Sequence, residues 1–154
     1  MSHTDTALQQ LTIALAYSLE GALFAYDVRR SMPDDKFAAL YNGIGPDCLP
    51  AEVRDKITGW LSLFAPAALI HDVRYSFADG TRKPYNFANI EFRNNCRILA
   101  DLAYPWYSWR RYRARAVGEF LYKCVASPAG WQSWLEATAK NKNNKNTERK
   151  NNEN

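Results

Sequence analysis

The chain has 154 residues, 47% hydrophobic and 14% aromatic, which suits one domain with a packed core. Its formal charge of +4 sits mostly at the end, where five basic residues from Lys140 to Lys150 face Glu148 and Glu153. The body is therefore nearly neutral and overall charge gives no case for a polyanion partner. Three cysteines (Cys48, Cys96, Cys124) without paired spacing do not read as a disulfide framework, and with no CxxC no zinc site is suggested.

Taken in chain order, Asp5 to Arg30 reads as one long helix. Leu8, Leu11, Leu15, Leu19, Ala22 and Tyr26 recur at helical spacing, and Pro33 blocks continuation. The apolar stretch Leu11 to Tyr26 contains Glu20 and Gly21 and is too short and interrupted to span a bilayer. Met1 to Thr12 has no basic n-region, so the sequence predicts neither a signal peptide nor a transmembrane helix, and a cytoplasmic or virion-associated protein. Tyr41 to Pro50 is turn-rich, with two glycines, two prolines, an Asn and an Asp. Ala51 to Leu61 suits a short amphipathic helix.

Phe64 to Phe77 reads as a second, almost wholly apolar helix, with Pro66 tolerated in its first turn and Asp79-Gly80 as its stop. Thr81 to Asn86 reads as a loop. Phe87 to Tyr104 follows as a helix whose buried face is Phe92, Cys96, Leu99 and Ala103, broken by Pro105. Trp106 to Cys124 is amphipathic, with Trp109, Tyr112, Ala116, Phe120 and Cys124 as the expected inner stripe. Ala129 to Ala139 adds a short helix. No strand and no repeat is expected, so the fold class is all-α: one helical domain over 1–139, with one long irregular loop. The Asn/Lys-rich tail, 140–154, holds seven Asn and no apolar residue, and is expected to be disordered.

One feature needs a chemical explanation. His71 and Asp72 interrupt the most hydrophobic helix, with Tyr75 one turn on, and a buried polar pair is costly unless something satisfies it. Upstream, Tyr41-Asn42-Gly43-Ile44-Gly45 is a segment whose glycines allow several carbonyls to turn toward one point. Carbonyl oxygens plus a carboxylate such as Asp72 are the shell a hard cation takes. Taken singly, an interhelical turn and a solvent-facing His-Asp edge are the simpler explanations.

The pattern Y-x-G-x-G followed by a helix bearing H-D-x-x-Y resembles the phospholipase A2 superfamily. From His71 to Glu91 the layout is similar to the phospholipase domain of parvovirus capsid proteins. The resemblance implies a phospholipase A2-like core with extra N- and C-terminal helices. It also implies calcium as cofactor, held by the carbonyls of Tyr41, Gly43 and Gly45 and the Asp72 carboxylate. His71 would be the base that activates water against the sn-2 ester of a phospholipid, with Tyr75 supporting the network behind it. The family carboxylate partner of the histidine is replaced by Asn89, which can orient the ring but cannot offset the imidazolium charge. Asp79 is the other candidate for that role, whereas Glu91 lies about 200° round the helix from Asn89.

The implied activity is therefore calcium-dependent phospholipid hydrolysis in a phage- or virus-related protein. The alternatives are a non-catalytic virion or interaction module on the same scaffold, or a helical nucleic-acid binder. Trp106, Trp109, Arg110, Arg111 and Arg113 suit a phospholipid membrane surface. Core packing of Trp109 and Tyr112 with solvated arginines is the competing explanation, and a nucleic-acid partner is the disfavoured one.

Overall fold

A computed structural model of the chain describes residues 62–152. The long N-terminal helix, the Tyr41–Pro50 loop and the Ala51–Leu61 helix expected from the sequence lie outside the described residues. Those described form a 3-10 turn, Ser62–Phe64, and four helices, with no strand among them: α1 (Ala65–Ser76), α2 (Arg82–Ala103), α3 (Trp109–Val125) and α4 (Pro128–Asn152).

Helix α1 opens with Pro66 in its first turn, where the missing N–H costs little. Beyond it, the amides of Phe77 and Ala78 bond back to the carbonyls of Arg74 and Tyr75, and Gly80 takes a φ of 82°. That left-handed conformation is what glycine adopts without penalty. The Asp79 side chain accepts from both the amide and hydroxyl of Thr81, at 2.8 Å each, and fixes the turn into α2.

Helix α2 begins at Arg82, five residues before the expected start. Pro84 does not mark a loop, because an amide in the first turn has no intrahelical partner to lose. Helices α2 and α3 run antiparallel, as their ion pairs require: Arg93 with Glu119 near one end, Asp101 with Arg111 and Arg115 near the other. Ser108 caps α3 by accepting from the Arg110 amide at 3.3 Å.

The inner stripe of α3 is not the expected one. Ala114, Gly118 and Leu121 are buried, whereas Trp109, Tyr112, Ala116 and Phe120 are exposed. Small residues allow α3 to approach α2 closely, and the large rings are left outside. On α2, Phe92, Cys96 and Leu99 are buried as expected, and Ala103 is exposed.

Helix α4 runs to Asn152, past the expected end at Ala139 and through most of the segment expected to be disordered. No Gly or Pro follows Gly130 to break it. Inside that segment Asn141 Nδ2 donates to the carbonyls of Ser76 (2.9 Å) and Ala78 (3.2 Å), satisfying acceptors that the end of α1 leaves open. At its start, Gly130 lies so close to α3 that a Cβ there would sit 1.9 Å from the Val125 carbonyl oxygen.

The interior falls into two clusters. The larger joins Phe64, Leu69, Ile70 and Val73 to Phe92, Cys96 and Leu99 of α2 and Ala114 and Leu121 of α3. The smaller gathers Ala78, Tyr85, Ala88 and Trp134, with Tyr75 and Trp131 packed against it.

Candidate functional site

His71 lies where the two clusters meet. Its ring packs against Phe92 of the larger cluster (centroids 5.0 Å) and against Tyr75 at the edge of the smaller one (4.4 Å). Helical spacing accounts for the second contact, because residues four apart share a face. The imidazole is buried and its Nε2 lies 2.9 Å from Asn89 Oδ1 on α2. With the amide oxygen accepting, the proton sits on Nε2 and the lone pair on Nδ1. That is the tautomer in which Nδ1 can take a proton.

Burial is the main influence on this imidazole, and it outweighs the Asn89 bond, which pulls the other way. The pKa falls from 6.5 to about 4. His71 is therefore neutral at physiological pH, and among the described residues its hydrogen-bond partner is an amide, not a carboxylate.

Asn89 is buried as well. Its Nδ2 makes no hydrogen bond of standard geometry. The amide nonetheless lies near enough to the Tyr85 hydroxyl to draw that phenol's pKa down, against a larger upward push from burial. Tyr85 stands four residues before Asn89 on α2, and its hydroxyl donates toward the carbonyls of Val125 (3.0 Å) and Ser127 (3.2 Å). With its proton committed there, the oxygen keeps lone pairs on the side of the Asn89 amide. That arrangement suits Nδ2 toward Tyr85 and Oδ1 toward His71. Tyr85 and Trp134 did not stand out in the sequence. The signal for Tyr85 was its place on the Asn89 face, one turn away.

Tyr75 meets His71 through its ring; its hydroxyl donates instead to the Gly130 carbonyl of α4, at 3.4 Å. Burial first, then the neighbouring Tyr85 and Asp72, push its pKa up, so it stays a neutral phenol. Asp72 is half-buried on α1 and near enough to Tyr75 for its charge to be felt.

The other two carboxylates are engaged elsewhere. Asp79 spends its side chain on Thr81. Glu91 is buried and holds Arg74 in a two-pronged pair, 2.9 Å from Nε and 2.8 Å from Nη2. Among the described residues, Asn89 is the hydrogen-bond partner of the imidazole nitrogen.

Tyr41, Gly43 and Gly45, the expected carbonyl donors, lie outside the described residues. Among the described residues no group of three or more His, Cys, Asp or Glu side chains converges as a metal cluster. The expected shell needs one carboxylate, and Asp72, an oxygen donor beside the histidine, suits a hard cation. No helix of the described residues is long and apolar enough to cross a membrane.

No family model, curated protein or solved structure matches the chain.

Proposed function

We propose that the chain is a phospholipase A2-type hydrolase, acting on the sn-2 ester of a phospholipid with calcium as cofactor. The observation that supports this most is the buried contact between His71 Nε2 and Asn89 Oδ1, made across eighteen residues of sequence. The contact fixes the ring in one tautomer, burial keeps it neutral, and Asp72 stands next to it on the same helix. In this reading His71 Nδ1 takes the proton of the attacking water. Asn89 orients the ring, and Tyr85 orients Asn89. Asp72, with the Tyr41, Gly43 and Gly45 carbonyls, would hold calcium, whose charge supplies stabilisation for the ester oxygen as it becomes anionic.

Two observations favour a second reading, a non-catalytic module that keeps the scaffold. Asn89 cannot offset the charge that forms on His71, and burial already opposes that charge. Replacing a carboxylate by an amide behind a catalytic histidine costs about 10⁴-fold in a well-studied triad.

Fatty-acid release from phospholipid vesicles decides between them, with and without a calcium chelator. The first reading expects slow, calcium-dependent release, abolished by His71→Ala and raised by Asn89→Asp by up to about 10⁴-fold. Release that survives His71→Ala removes the proposed base. No release from either the native chain or Asn89→Asp leaves the second reading.

A further inference from the structure

The turn from α2 into α3 carries the most unusual surface of the described residues. Trp106 and Tyr107 are 74% and 72% exposed and meet edge to face, with centroids 5.8 Å apart. Trp109 and Tyr112, in the first turn of α3, are 58% and 63% exposed. The Arg113 guanidinium lies over the Trp109 ring, 5.0 Å from its centroid. Burying four such rings in the protein would be favourable, yet this fold turns them outward and packs α3 through Ala114, Gly118 and Leu121 instead.

The charge of the same corner has one sign. From Asp101 to Gly118 the chain carries four arginines and one carboxylate, a net of +3 (4 − 1). That carboxylate, Asp101, is held by Arg115 Nη2 at 2.6 Å and by Arg111 Nε at 2.7 Å, bonds that keep it ionised down to about pH 2. Arg111 is thereby tied inward and the exposed Arg115 is paired with the same carboxylate, while Arg110 and Arg113 are exposed beside the rings.

We infer that this corner docks the protein on an anionic phospholipid bilayer, with Trp106, Tyr107, Trp109 and Tyr112 at headgroup depth and Arg110 and Arg113 against lipid phosphates. Trp and Tyr suit that depth because an apolar ring and a polar tip each find their medium there. Arginine adds attraction to anionic lipid. A nucleic acid would meet the same residue types, but strand binders line a groove that follows the backbone, whereas these rings protrude from a helix–helix corner.

The location gives the inference its consequence. Asn89 and Ala103 are fourteen residues apart on one continuous helix, about 21 Å at 1.5 Å per residue. The anchor therefore lies at one end of α2 and the His71 contact toward the other. It stands independently of any chemistry at His71.

Co-sedimentation of the full chain with phosphatidylcholine vesicles, with or without phosphatidylserine, tests it. The expected result is binding that requires phosphatidylserine, weakens with salt, and falls roughly tenfold in Trp106→Ala/Trp109→Ala and in Arg110→Glu/Arg113→Glu. His71→Ala should bind like the native chain, so loss of hydrolysis and loss of docking are read separately. All four substituted corner residues are exposed, and an unchanged thermal midpoint confirms that the variants fold. Failure of the native chain to sediment, vesicle binding indifferent to both double variants, or salt-sensitive capture of single-stranded DNA in place of vesicles would each overturn the proposal.

Discussion

His71 carries a proton-linked cost that can be measured without any substrate. In the unfolded chain the imidazole binds a proton near pH 6.5, whereas in the folded chain burial delays this to about pH 4. The unfolded state therefore holds more protons between these values, and stability must fall as pH drops. Above pH 6.5 the contribution of His71 is flat; between pH 6.5 and 4 it should cost about 3 kcal/mol. Urea midpoints for the native chain and His71→Leu, compared across that window, should converge toward acid. Parallel curves would mean that His71 is not buried neutral. The same residue shows what was legible in the sequence. The pairing of His71 with Asn89 was implied by the family resemblance, and the two side chains do meet, at 2.9 Å. The role of Tyr85 was not implied, because nothing in a lone tyrosine reveals that its proton is committed to the carbonyls of Val125 and Ser127.

At the scale of elements, helix existence was legible and helix faces were less so. Pro66, Gly80 and Pro105 act locally on the backbone, so α1 and the end of α2 could be located from them. The face of α3 was misjudged because two stripes of helical spacing run along it. One passes through the large rings Trp109, Tyr112 and Phe120, the other through Ala114, Gly118 and Leu121. Area alone favours the rings; what decides is how closely α2 approaches, and that depends on residues distant in sequence. The α3–α4 corner makes a comparable demand at Gly130. In a helix, Gly→Ala ordinarily gains about 1 kcal/mol. Here the added carbon would meet a backbone oxygen at 1.9 Å, which no rotamer change relieves. Gly130→Ala should therefore lose stability, at or above the upper end of the roughly 1–3 kcal/mol typical of overpacking. Urea unfolding would show it, and a gain in midpoint would contradict the close approach.

Across the whole molecule, α4 acts as a strap. It supplies Trp134 to the smaller cluster, receives the Tyr75 hydroxyl at Gly130, and closes the end of α1 through Asn141. Composition could not reveal this, since an Asn-rich segment without apolar residues looks like solvated coil. The structure gives Asn141 tertiary partners in the Ser76 and Ala78 carbonyls. Asn141→Ala should cost about 1 kcal/mol and speed amide exchange at Phe77 and Ala78, whose turn it steadies. Exchange unchanged at those two amides would show that the strap carries no tension there.

The placement of the indoles has an optical consequence. Trp134 is sealed between Tyr75 and Tyr85, whereas Trp106 and Trp109 stand in solvent. Acrylamide should quench the emission of the solvated pair, which Trp106→Phe/Trp109→Phe would remove; the sealed indole should emit at shorter wavelength and resist quenching. Among the described indoles, Trp134 thus reports the integrity of the interior and the Trp106–Trp109 pair whatever settles on the α2–α3 corner.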